Sequence, residues 1–107
     1  MIVFTRNGMG DAPAALQQKL GSIFLNLVDK GAAPGVIAFY GEGVKLVCDD
    51  SPVLEQLRSL VAHGATIVVC QTCLDFFGLR EKVRVGAIGG MGDIVAAMGS
   101  ADKVISV

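Results

Sequence analysis

The stretch Thr66-Ile67-Val68-Val69-Cys70-Gln71-Thr72-Cys73 decides the fold. Five residues in a row are apolar or β-branched, with no alternation of polar and apolar positions. A strand that faces water on one side alternates, whereas one covered by helices on both sides reads as a continuous apolar run. This stretch is therefore expected to be a central strand of a mainly parallel sheet, with two thiols just past its end. Working outward, Ile2 to Thr5 and Val36 to Tyr40 read as two more buried strands, the first entering the loop Arg6-Asn7-Gly8-Met9-Gly10-Asp11. Between them Leu16, Leu20, Ile23, Phe24 and Leu27 recur at spacings of three and four, which predicts a helix burying that stripe. Asp11 is its expected cap, Gly31 its left-handed stop, and Gly21 a point of close packing on the sheet.

Gly41-Glu42-Gly43 breaks the second strand before the short apolar piece Val44 to Val47. Ser51 and Pro52 then form a helix start, with Leu54, Leu57, Leu60 and Val61 inward and Gly64 at the end. Past the central strand, a helical turn from Leu74 to Phe77 stops at Gly78, and Val83 to Val85 is expected as a fourth strand. Gly89 and Gly90 lead to a last helix burying Ile94, Val95 and Met98, and Val104 to Val107 is a fifth strand. Strands alternating with helices at this spacing give an α/β, doubly wound layer with right-handed crossovers. The 107 residues suit one domain, 1–107.

Composition excludes several classes of function. The chain is 52% hydrophobic and 18% charged, with mean hydropathy +0.60, so a packed core is expected rather than disorder. Nine basic against ten acidic residues leave a net charge of -1 and no basic run to neutralise phosphates, which argues against nucleic acid. The longest apolar runs fall far short of the roughly 20 residues a bilayer requires, so no membrane partner is expected. Met1-Ile2-Val3-Phe4-Thr5-Arg6 carries its charge after the apolar stretch, unlike a secretory signal. With three cysteines, an odd number, reduced thiols in the cytoplasm are the expectation.

In a parallel sheet the loops after the strands gather at the carboxyl edge, where ligands bind. That edge should collect Asn7 to Asp11, Gly41 to Gly43, Cys70 to Cys73 and Gly86 to Met91, with Cys48 nearby. His63 ends a helix at the opposite edge and is expected to be solvated or to cap a carbonyl, so a Cys–His catalytic pair within one chain is not expected. The informative motif is Cys70-Gln71-Thr72-Cys73: one thiol ends a strand, and the other opens a helical turn whose free N–H groups should favour a thiolate. Cys48 reads as a buried packing residue. One thiol pair, a distant histidine and a lone Cys48 make a poor zinc set, so no metal is expected. Gly8-Met9-Gly10-Asp11-Ala12-Pro13 lacks the third glycine of the dinucleotide fingerprint, and Gly86 to Gly92 does not match it either. Both read as tight turns, and no cofactor is expected.

Phe39-Tyr40-Gly41-Glu42-Gly43-Val44-Lys45-Leu46, Ser51-Pro52-Val53-Leu54 and Val69-Cys70-Gln71-Thr72-Cys73-Leu74-Asp75-Phe76-Phe77-Gly78-Leu79 together resemble the DsrE/DsrF-like sulfurtransferase family. Within it the likeness is greatest to the C-terminal domain of YedF-type selenium-metabolism proteins. The resemblance covers nearly the whole chain. It implies a three-layer α/β/α fold, homo-oligomerisation, and a sulfur-carrying cysteine at the end of the central strand, the position of Cys70. On that footing Cys70 is expected to accept a sulfane sulfur, or its selenium counterpart, as a persulfide from a donor protein and pass it to an acceptor thiol, with a TusA-like protein among the partners. Backbone N–H groups of Gln71, Thr72 and Cys73 would stabilise the anion, and Asn7, Gly8, Met9, Tyr40 and Gly41 would wall the pocket. Cys73 could then attack the persulfide and release sulfide. Sulfur-relay members carry one such cysteine followed by small residues, whereas here Cys73 and the bulky Leu74, Phe76 and Phe77 follow. YedF-type proteins often carry an N-terminal TusA-like domain, and this sequence starts at the first strand. Two other readings stand beside this one: a non-catalytic oligomeric binding module, and a dithiol oxidoreductase. The latter lacks the preceding Trp and the intervening Gly-Pro of thioredoxin-like motifs.

Overall fold

A computed structural model describes residues 1–31 and 34–107. The chain runs β1 (Ile2–Phe4), α1 (Ala14–Lys30), β2 (Val36–Phe39), a 3-10 segment (Gly41–Val47), α2 (Leu54–Ala62), β3 (Thr66–Cys70), α3 (Gln71–Phe77), a 3-10 turn (Arg80–Lys82), β4 (Ala87–Gly89), α4 (Met91–Ser100) and β5 (Ile105–Ser106). The strands form one sheet in the order β4-β3-β2-β1-β5, every neighbouring pair parallel. The mainly parallel five-stranded α/β architecture expected from the sequence is the one observed.

Register explains the core. Ile2 and Phe4 of β1 stand opposite Ile37 and Phe39 of β2, which stand opposite Ile67 and Val69 of β3, so one face of the sheet carries three rows of large apolar side chains. Phe4 and Phe39 stack at 5.1 Å between ring centroids, and Phe24 of α1 meets Phe4 edge-on at 6.1 Å. That contact places α1 on this face; α2 packs beside it, with Gln56 donating to Ser22 Oγ and Ser59 donating to Asp29 Oδ2. The long return from β4 to β5 takes α4 to the other face, where Ile94 is fully buried. Truncating a side chain such as Phe4 to alanine in such a core costs about 3–5 kcal/mol.

Several expectations need correcting. The helix α1 does not bury the stripe Leu16, Leu20, Ile23 and Leu27; these are exposed, Leu27 by 64%. Gly21 and Leu25 are the buried residues, with Phe24 and Val28 packed partly against the core. The helix is apolar over two stripes, and periodicity does not say which one meets the sheet. Gly21 packs on Gly8 and Met9 of the preceding loop, not on the sheet: a Cβ at Gly21 would lie 3.4 Å from Gly8 Cα. Asp11 caps nothing, since α1 starts after Pro13 without a side-chain cap, and Gly31 is extended (φ −96°, ψ −155°). Leu57 and Leu60 are buried in α2 as expected, but Val61 is exposed. Ser51 accepts the Val53 N–H one turn before α2 proper.

The expected strand at Val83 to Val85 is not in the sheet. Val83 makes one antiparallel bridge to Cys48, flanked by Asp49 N–H to Lys82 O (3.0 Å), Arg84 N–H to Val47 O (2.8 Å) and an Arg84–Asp49 ion pair. This strap ties the chain after the 3-10 segment to the chain before β4. The fourth strand lies four residues later, at Ala87–Gly89. In α4, Val95 is exposed, while Ile94 is buried and Met98 partly so; Asp93 accepts the Gly90 N–H at the helix start.

Candidate functional site at the Cys70–Cys73 pair

The last residue of β3 is Cys70, and α3 begins at the next residue. Cys70 is thus at the N-cap and Cys73 three residues on, one helical turn above it. Residues three apart at the start of a helix share a face, so the two thiols are neighbours on the first turn of α3. Gly78 ends α3 in the left-handed conformation (φ +67°) that glycine adopts without strain.

A third group completes the arrangement. Gly41, at φ +59°, turns the chain sharply after β2, and its backbone N–H donates to Cys73 Sγ at 3.1 Å. Two glycines make this approach possible. A Cβ on Gly41 would stand 3.1 Å from Thr5 O, and one on Gly43 would stand 2.7 Å from the Phe4 carbonyl carbon and closer still to its oxygen. Only a segment without these side chains can lie so tightly over the end of β1 and aim an amide at the thiol beside β3.

The two thiols differ in access. Cys70 is 1% exposed, and Cys73 is half-buried. The expectation of a reachable Cys70 is therefore corrected for the single chain: the outward sulfur is that of Cys73. The expected lowering of thiol pKa is corrected as well. Burial pushes the Cys73 thiol above its ordinary value of 9.0, the Gly41 N–H opposes this, and the neighbouring Cys70 adds to it. Seven residues of helix leave little dipole to set against desolvation. Cys48 is buried, its thiol donating to Val44 O at 3.2 Å, and burial followed by the Asp49 charge raises its pKa, as suits an inert packing thiol.

The other expected pocket residues divide into two groups. Gln71 and Thr72 lie between the two thiols in the chain, Gln71 exposed and Thr72 exposed, while Gly41 reaches Cys73 through its N–H, with the half-buried Tyr40 just before it. Gly8 and Met9 instead seat the first loop on α1: Met9 N–H donates to Gln17 O at 2.9 Å, and Gly8, at φ +149°, leaves no room for a Cβ beside Gln17. Asn7 lines a cavity of about 280 Å³ that it shares with Gln18, Lys45, Leu79 and Cys48, not with the thiol pair. A larger hollow of about 560 Å³ lies between α1 and α2, lined by Asn26, Asp29, Gln56 and Ser59, away from the thiols. Near it His63, solvated as expected, meets Asp29 at 2.8 Å.

Some neighbours of the site escaped the sequence reading. Phe76 is 84% exposed three residues after Cys73, and Lys45 stands 4.7 Å above the Phe77 ring. The spacing of Cys73, Phe76 and Phe77 at i, i+3 and i+4 was the available signal, since it puts all three on one helical face. Among the described residues no group of three or more His, Cys, Asp or Glu side chains could hold a metal ion. Likewise no described helix is long and apolar enough to cross a membrane.

Residues 4–107 match the DsrE/DsrF-like family, covering both the sheet and the thiol pair. The chain belongs to that family. Solved structures agree on the fold of this DsrE-like chain. The ychN protein of E. coli superimposes with TM-score 0.71 at 15% identity, covering 99% of this chain and 97% of that one. A conserved protein of unknown function from Bacteroides thetaiotaomicron gives 0.69 at 18%, covering 99% and 92%, and a protein of unknown function from Methanobacterium thermoautotrophicum gives 0.65 at 19%, covering 99% and 97%. Comparison with curated protein sequences finds no match.

Proposed function

We propose that this DsrE-like protein is a carrier of sulfane sulfur, or of its selenium counterpart, which the Cys70–Cys73 pair takes up as a persulfide from a donor and passes to a partner thiol. The observation that carries the reading is the placing of two thiols on the first turn of α3 at the carboxyl edge of the sheet, the outer one already held by the Gly41 N–H at 3.1 Å. A persulfide anion needs a site that is reachable on one side and supplied with a fixed hydrogen-bond donor on the other. Tyr40, Gln71 and Thr72 border that site. Membership of the DsrE/DsrF-like family supports a role in sulfur relay. The YedF-type likeness and a TusA-like donor or acceptor belong to the same reading, as does a cytoplasmic setting in which the thiols stay reduced. Homo-oligomerisation is supported by the apolar stripe that α1 turns outward.

The test is direct. After treatment with a persulfide donor, the intact protein should gain the mass of one sulfur atom, lost again on adding a thiol acceptor, and the double variant Cys70→Ala/Cys73→Ser should gain none. A native protein that never takes up sulfur overturns the proposal. The same motif supports a second reading, a dithiol oxidoreductase, which would show a reversible two-electron couple and no sulfur adduct.

A further inference from the structure

We infer that the two thiols work in a fixed order: Cys73 receives the sulfane sulfur and Cys70, sealed behind it, expels that sulfur as sulfide by closing a Cys70–Cys73 disulfide. This rests on the carrier reading and reverses the roles that the position of Cys70 at the strand end suggested.

Access sets the first step. An incoming persulfide must bring its outer sulfur into line with the attacking thiol, and a side chain 1% exposed offers no such approach, whereas Cys73 does. The Gly41 N–H then favours the same sulfur: it donates to Cys73 Sγ at 3.1 Å and stabilises the charge that the attacking sulfur carries. Cys73 Sγ attacks the outer sulfur of the donor R–S–SH. A bond forms between Cys73 Sγ and that sulfur, the donor S–S bond breaks, and the proton from Cys73 leaves on the donor as RSH. No net oxidation occurs.

Spacing sets the second step. Cys70 caps α3 and Cys73 lies three residues on, on the same face of the first turn, so side-chain rotation brings the Cys70 sulfur to Cys73 Sγ without movement of a whole element. Cys70 Sγ attacks Cys73 Sγ, a disulfide forms, and the outer sulfur departs with the remaining protons as hydrogen sulfide. That sulfur gains two electrons, and the two thiols lose them. A small dithiol reductant restores the pair by two exchanges, its own sulfurs ending as a disulfide. The site thus discharges sulfur reductively, and its terminal products are sulfide and an internal disulfide rather than a persulfidated partner alone.

The experiment uses the full chain with glutathione persulfide under anaerobic conditions, followed by rapid alkylation, peptide mapping and sulfide measurement. In the native protein the early adduct should map to Cys73; later the adduct should vanish, with stoichiometric sulfide and a Cys70–Cys73 disulfide in its place. Cys73→Ser should lose both loading and sulfide release. Cys70→Ala, which keeps the buried position apolar, should load Cys73 and hold the sulfur without releasing sulfide. An early adduct on Cys70 in the native protein, or loading of Cys73→Ser, overturns the order of the thiols while leaving the carrier function standing. Stable native persulfide with no disulfide overturns the discharge step, and failure of the native protein to load overturns the carrier reading itself.

Discussion

Substituting Gly43 with alanine should be among the most damaging single-methyl changes in this protein, for a reason separable from backbone conformation. Its φ lies outside the left-handed region, so alanine is not strained as such; the obstacle is space. The added Cβ would meet the carbonyl carbon and oxygen of Phe4 and, at 3.2 Å, the amide nitrogen of Thr5. All three are backbone atoms of β1 and its exit, fixed by the parallel pairing of Phe4 with Phe39, and no flexible side chain can give way. Overpacking typically costs 1–3 kcal/mol, and the rigid surroundings put this case near about 3 kcal/mol, which for a chain of this size lowers Tm by roughly 12–24 °C. The control is Gly99→Ala in α4, where a Cβ meets nothing within 4 Å; there the better helix propensity of alanine should raise stability by about 0.5–1 kcal/mol. Thermal and urea unfolding of both variants, followed by circular dichroism, decides the matter. If Gly43→Ala melts within about 2 °C of the native protein, the argument that the 3-10 segment is pressed onto β1 is wrong.

Two further outcomes are expected. Alkylation with iodoacetamide should modify Cys73 first and Cys48 only after unfolding, and the Cys73 rate should keep rising beyond pH 9.0, because burial holds its thiol above that ordinary value; a rate that levels off near neutral pH would contradict the desolvated site. Asp29 is held below the usual 3.8 by the Ser59 hydroxyl first and the His63 ring second, so its contribution to stability is present above pH 3.8 and fades as pH falls through the lower folded-state value. Urea unfolding of Asp29→Asn should therefore show a deficit at neutral pH that closes in strong acid, and a deficit independent of pH would refute the assignment.

The sheet and its order of strands and helices could be read from the sequence because β-branched runs such as Thr66 to Cys70 carry their environment in their composition. The short strand β4 could not. Val83-Arg84-Val85 is the better strand by propensity, yet the backbone there bonds to Val47 and Asp49 and leaves the sheet to Ala87-Ile88-Gly89. The outward stripe of α1 was missed for a related reason: Leu16, Leu20, Ile23 and Leu27 are as regular as any buried face, and only the glycine contact at Gly21 with Gly8 reveals which side is turned inward. At the candidate site, the thiol pair and Gly41 could be found from the motif and the glycine loop. Which sulfur faces outward depended on one turn of helix, a matter of packing rather than spacing.

The bridge between Cys48 and Val83 has a consequence for the chemistry above it. By joining the stretch that follows Gly41 to the stretch that follows Cys73, it closes two excursions of the chain into a single loop-to-loop frame. The donor and the sulfur are then separated by a distance fixed when the protein folds, so the disorder lost in aligning them is lost once, during folding, and not again at each turnover. On the proposed carrier reading, a frame of this kind lets a half-buried thiol with an unfavourable acidity serve as a receptor, since what it lacks in charge it recovers in alignment.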